Sequence, residues 1–195
     1  MMGINIINDL KEYKDFFPFF SAIIGAITGG TITSVLTKSK EKKERREKRL
    51  NSLFELQRLY FKLIRSLIEL ELKLDVYISS PQEVEGYSVD VVNGAIHKCL
   101  DELADARVVS LGNAIHISDE VFNSVNVGME EAMLLYVPVT VQKKHIHNGQ
   151  LKFYSNDNLT AIQNTHKKIA DLQRILMKQE KIYVSNYINK YINKI

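Results

Sequence analysis

His145 and His147 stand two residues apart, so on an extended segment both imidazoles fall on one side, and histidines so placed can supply two ligands to a zinc ion. A zinc site needs further ligands, and neither a Cys nor an acidic pair at ligand spacing stands nearby, while His97, His116 and His166 are scattered along the chain. The pair therefore reads as part of a solvated loop, with no metal expected. The single cysteine, Cys99, lies within an apolar helical repeat and reads as a small buried hydrophobe rather than a nucleophile. Asp101, Glu102 and Asp105 form an acidic cluster mainly off that repeat, which reads as a solvated helix face. Phosphate-binding and hydrolase signatures (GxxxxGK[ST], GxGxxG, HExxH, GxSxG) do not occur. The chain is expected to be no enzyme and to need no cofactor.

Charge remains as the other source of chemistry, and it is unevenly placed. The 195 residues carry 26 Lys+Arg against 23 Asp+Glu. Eight of those cations, Lys38, Lys40, Lys42, Lys43, Arg45, Arg46, Lys48 and Arg49, fall within twelve residues that hold only three Glu. This block has a balance of +5, and the residues before and after it come to −1 each, so the whole formal charge of +3 resides in it. A domain that binds nucleic acid spreads its cations over a face, and no nucleic-acid partner is expected here. The hydrophobic content of 45% excludes a disordered chain, and a lone cysteine excludes a disulfide scaffold.

Immediately before the basic block, Phe16 to Thr37 contain no ionisable side chain. As a helix this run is about 33 Å long, against a hydrocarbon core of about 30 Å. Asp15 suits an N-cap and Pro18 falls in the first turn. A cleavable signal peptide would carry its cations before the apolar run, and a buried helix would need apolar cover on every side. The order found here, run first and cations after, is that of a stop-transfer anchor. Only Lys11 and Lys14 precede it, so the positive-inside bias puts residues 1–15 outside the inner (plasma) membrane and the C-terminal domain in the cytoplasm. The eight cations would lie against anionic head groups, at about 1 kcal/mol each. Glu41 with Arg45 and Glu44 with Lys48 have i,i+4 spacing and predict that residues 38–49 continue the transmembrane helix. Within the run, Ser21, Gly25, Gly29 and Thr33 recur every four residues, with Ala22, Ala26, Gly30 and Ser34 on the adjoining row. Small residues let backbones approach closely in lipid, so these rows predict self-association through the span and a homo-oligomer.

After Arg49 the pattern becomes heptads. Leu53, Leu56, Tyr60, Leu63, Leu67, Leu70, Leu74 and Tyr77 step by three and four and predict one long helix; Leu50, Phe54, Phe61, Ile64 and Ile68 widen its stripe. A strict seam would suggest a two-stranded coiled coil, and the wider stripe favours an intramolecular bundle. A second helix runs from an N-cap at Ser88 through Val89, Val92, Ile96, Cys99, Leu103 and Ala106 to a stop at Gly112-Asn113. A third begins at Ser118 and runs through Val121, Val125, Met129, Met133 and Tyr136 until Pro138 ends or bends it. The fourth starts near Asn158, with Ile162, Ile169, Leu172, Leu176, Tyr183 and Tyr187 on one side. Between Val137 and Tyr154 two readings stand: a loop with the third helix continuing past Pro138, and a small β-hairpin signalled by alternating Val137, Val139 and Val141, by Asn148-Gly149, and by Leu151 and Phe153. The expected fold is all-α: a transmembrane helix over 16–37, a basic helix over 38–49, and an antiparallel four-helix bundle over 50–195.

In layout the chain resembles small bacterial or mobile-element proteins with one N-terminal span, a basic juxtamembrane helix and a cytoplasmic helical bundle. The resemblance rests on Phe16 to Arg49 followed by Leu53 to Tyr77, and on the helix start Ser118-Asp119-Glu120-Val121. Some such proteins are linked to antiphage defence as membrane-located sensors or effectors. The resemblance implies a scaffold or sensor with a protein partner, or alternatively a membrane-disrupting effector held in check by its bundle.

Overall fold

The computed structural model describes residues 17–80, 87–147 and 150–191, and the side chains of residues 34, 36–80, 87–144, 146 and 151–186 among them. Four helices carry the chain: α1 (Phe17–Ser79), α2 (Val89–Ala114), α3 (Asp119–Tyr136) and α4 (Asn156–Tyr191). A 3-10 turn, Val137–Thr140, and two short strands, β1 (His145–His147) and β2 (Gln150–Lys152), separate α3 from α4. The chain divides into two compact units, Met1–Glu47 and Lys48–Ile195. In the first unit the described part is helix from Phe17 onward, and the expected N-terminal segment 1–15 lies outside the described residues. No helix among the described residues is long and apolar enough to cross a membrane. The side chains of the expected span lie largely outside that description.

In the second unit the helices form an antiparallel bundle in which each connects to two neighbours. Gln57 Nε2 donates to Glu180 Oε2 at 2.9 Å, and His166 Nδ1 lies 2.8 Å from Glu71 Oε1, so α1 and α4 run in opposite directions. Lys168 pairs with Glu131 between α4 and α3. The Tyr136 hydroxyl donates to the Ile96 carbonyl at 2.8 Å between α3 and α2. A cleft lined by both α1 and α2 joins the first two helices, which leaves α1 and α3 on the diagonal.

The core is the strict seam. Leu53, Leu56, Tyr60, Leu63, Leu67, Leu70, Leu74 and Tyr77 are all buried, with Val92, Ile96, Cys99, Leu103 and Ala106 from α2. Val121, Val125, Met129, Ala132 and Tyr136 of α3 meet Ile162, Ile169, Leu172 and Leu176 of α4 in the same cluster. The expected widening of the α1 stripe is corrected: Leu50, Phe54, Phe61 and Ile68 are exposed, and of that set only Ile64 packs partly on the core. The two neighbouring helices, α2 and α4, cover a face no wider than the seam, so the extra apolar residues are left outside it.

Local signals set the helix ends. Ser118 has extended backbone and its hydroxyl accepts from Val121 N at 3.2 Å, satisfying one of the free N–H groups of α3. Ser88 caps α2 more loosely, at 3.5 Å. Gly112 does not stop α2, which continues to Ala114 before Ile117 N turns back to the Ala114 carbonyl. Helix α3 ends at Tyr136, and Pro138 sits in the 3-10 turn, so Val137, Val139 and Val141 are not a strand. The hairpin forms farther on, pairing His145 with Lys152, Ile146 with Leu151 and His147 with Gln150; Asn148 and Gly149 lie outside the described residues.

One close approach depends on glycine. A Cβ at Gly128 of α3 would stand 2.5 Å from Cδ2 and 3.0 Å from Cγ of the buried Leu172 of α4. Gly128→Val should therefore lose about 1–3 kcal/mol through overpacking despite the better helix propensity of a side chain. Urea denaturation should show a lower midpoint at an unchanged slope.

Candidate functional site

Residues 38–49 are helical and exposed throughout, as an amphiphile-free, strongly charged stretch of α1 should be. The expected pairs of Glu41 with Arg45 and Glu44 with Lys48 are not the ones formed. Lys40 reaches Glu44 at 4.0 Å and Lys43 reaches Glu47 at 3.8 Å, each more than half exposed and so contributing little to stability. Arg49 belongs to the second unit, its guanidinium 5.6 Å from the centre of the Tyr183 ring. Tyr183 in turn donates its hydroxyl to the Ile117 carbonyl, which ties Arg49 to the base of the bundle. Of the small-residue rows, Ser21, Ala22, Gly25, Ala26, Gly29, Gly30 and Thr33 have helical backbone but side chains outside the description, and Ser34 is exposed.

The outer face of α1 carries the surplus apolar residues in order. Leu50, Phe54, Gln57, Phe61, Ile64 and Ile68 step by four and three, a second seam beside the buried one, and Leu72 extends it. Phe61 is 65% exposed and Leu72 62%. Arg58 and Arg65, three before and four after Phe61, border this seam with Lys62 beyond, and all three are exposed. Single exposed apolar residues are ordinary on a protein surface; here they form a contiguous row with helical spacing.

Polar chemistry inside the second unit is structural. Lys152 is only 4% exposed, yet its Nζ donates at 3.0 Å to both the Tyr77 and the Ser80 carbonyls and lies 4.8 Å from the Tyr77 ring centre. Helix α1 has no basic residue in its last turn, and this lysine from β2 supplies the cation at the negative end of the helix dipole. Within β2, Leu151 is exposed beside its partner Ile146, and Lys152 takes the inner position. The Tyr77 hydroxyl accepts from Phe153 N, and the Tyr154 hydroxyl donates to Asn93 Oδ1 at 3.0 Å while accepting from Gln142. The hairpin is thus fastened to the end of α1 and the start of α2. The sequence signalled this hairpin through Asn148-Gly149 and the alternation of Leu151 and Phe153, but gave no sign of what it would be fastened to.

The cleft between α1 and α2 has a volume of about 200 Å³ and is lined by Glu69, Lys73, Lys98, Cys99 and Glu102 among others. Lys73 is already held by Glu69 at 2.8 Å, and Lys98 and Lys73 hold the Glu69 carboxyl below its usual range, the Lys73 hydrogen bond being the larger cause. Cys99 presents no nucleophile, since burial pushes its thiol from 9.0 up to about 11. Among the described residues no group of three or more His, Cys, Asp or Glu is gathered as a metal site, and the side chains of His145 and His147 lie outside the description. Burial likewise pushes the Tyr60 phenol up to about 12, the nearby Ser110 hydroxyl lowering it only slightly.

These two raised groups fix the sign of an alkaline pH dependence. Folded, Cys99 and Tyr60 keep their protons where the unfolded chain would release them near 9 and 10, so the folded state binds more protons and its stability falls as pH rises. Thermal melting should be flat up to about pH 8.5 and drop steadily from pH 9 towards 12. Cys99→Ala should shift the onset of that drop upward.

No protein-family model matches the chain, and neither a curated protein nor a solved structure matches it significantly.

Proposed function

We propose that this chain is a single-pass, membrane-anchored scaffold or sensor without catalysis of its own, whose cytoplasmic helical bundle offers surfaces to protein partners and whose span self-associates. The observation that carries it is the uncharged run Phe16 to Thr37 followed at once by eight cations. The N-terminus outside, the basic block against anionic head groups and the small-residue rows as the self-association face belong to this reading. A membrane-disrupting effector is the second reading, favoured by the presence of two parallel rows of four small residues, a face wide enough for assemblies beyond a dimer.

Carbonate washing of membranes from expressing cells should leave the full chain in the pellet, with the C-terminus accessible to protease only from the cytoplasmic side. Recovery in the supernatant sinks the anchor. Replacing Gly25 and Gly29 together by Leu keeps the segment apolar while forcing neighbouring backbones apart. Membrane retention with a sharp fall in crosslinking between protomers is the expected result, and unchanged crosslinking removes the span as the interface.

A further inference from the structure

Helix α3 presents an outer face that matches that of α1 in spacing and opposes it in charge. Asn123, Val127, Glu130, Leu134 and Val137 step by four and three, and all five are exposed, Leu134 by 65%. Helix α3 contains Asp119, Glu120, Glu130 and Glu131 and no Lys or Arg. Glu131 is taken by Lys168, whereas Glu130 has no ion-pair partner among the described residues. On α1 the outer seam Leu50, Phe54, Gln57, Phe61, Ile64 and Ile68 is bordered by Arg58, Lys62 and Arg65, and Arg58 and Lys62 have no ion-pair partner among the described residues either.

We infer that copies of this chain assemble head to tail, the outer seam of α1 of one copy packing along the outer seam of α3 of the next. Seams of four-and-three spacing interlock with each other as knobs into holes, and the α3 seam, eleven residue steps from Asn123 to Leu134 with Val137 of the 3-10 turn just beyond, offers about 17 Å of such contact. Charge decides between this pairing and symmetrical ones. Glu130 occupies the middle of its seam, where a facing helix would enclose it, and an enclosed carboxylate needs a cation. Helix α1 offers three at the border of its seam. Pairing α3 with α3 sets Glu130 against apolar residues or itself, and pairing α1 with α1 brings the rows of Arg58, Lys62 and Arg65 together. Within the bundle α1 and α3 are diagonal, so one copy presents both faces at once and the contact repeats from copy to copy. The inference is independent of the membrane reading, since both faces belong to the unit Lys48–Ile195.

The test uses two differently tagged full-length preparations, one carrying Phe61→Cys and the other Leu134→Cys, mixed and treated with a short bismaleimide; native Cys99 is buried and does not react. The mixed adduct between positions 61 and 134 should exceed either like-with-like adduct at least tenfold. Glu130→Lys in the second preparation should lower it at least tenfold, and Arg58→Glu with Arg65→Glu in the first should restore it. All the substituted positions are exposed, and Val127→Cys replaces Leu134→Cys if that variant does not fold. A dominant adduct between two copies of position 61 means symmetrical pairing through α1 and overturns the inference. A mixed adduct no stronger than that between two Lys167→Cys preparations, as oligomers held only by their spans would give, overturns it, as does one indifferent to Glu130→Lys.

Discussion

Leu67→Asp is expected to leave the bundle unfolded at 25 °C, while Phe61→Asp on the same helix, less than two turns away, leaves it folded. Leu67 is fully buried in the seam between helices. Its truncation alone would cost about 2–5 kcal/mol, and an enclosed carboxylate without a cation adds several more. Together these reach a typical total stability of 5 to 15 kcal/mol. Leu63→Asp, one step earlier in the same seam, should behave alike. Phe61 is 65% exposed, so an acid there stays in water and should change stability by about 0.5 kcal/mol or less. Far-UV circular dichroism and urea titration read both outcomes. If Leu67→Asp melts like the parent, or if Phe61→Asp unfolds, the inward face of α1 is wrongly placed.

Lys152→Met is expected to be the most damaging substitution of a charged residue. Methionine keeps an unbranched apolar stem in the same channel but gives the Tyr77 and Ser80 carbonyls nothing to accept from. Two hydrogen bonds from a cation are lost, and with them the positive charge that opposes the dipole at the end of α1. The cost should be about 2–4 kcal/mol, which for a domain of this size lowers the melting temperature by roughly 5–15 °C. Lys152→Arg should recover only part of it, because the planar guanidinium cannot direct its protons at two carbonyls as a rotating ammonium does. By contrast Lys40→Met, whose partner Glu44 lies 4.0 Å away at the surface, should be nearly silent. Equal melting of the Lys152 and Lys40 variants would mean that the buried lysine is a passenger.

The periodicity of this chain determined a good deal by itself. Eight residues from Leu53 to Tyr77 could be named as the buried seam because a helix in a bundle must repeat its contact every three or four residues, and all eight are buried. The caps at Ser88 and Ser118 were legible for the same local reason: a short side-chain oxygen can reach the free N–H groups of the next turn without help from the rest of the fold. The uncharged run and the basic block are properties of the sequence whatever the fold.

Tertiary structure alone decided what these elements face. The sequence of α1 contains two adjacent seams of similar spacing, and no local rule says whether neighbouring helices will cover both; the packing of α2 and α4 buried the one with Leu53 and Leu67 and left the one with Phe54 and Phe61 in solvent. The phase of β2 was decided in the same way. Leu151 is the more apolar residue, but the carbonyls at the end of α1, seventy-odd positions away, provide partners for Lys152 and none for a leucine, so the ammonium went inward. Local pattern fixes how often a face recurs, and only the arrangement of distant segments fixes what that face meets.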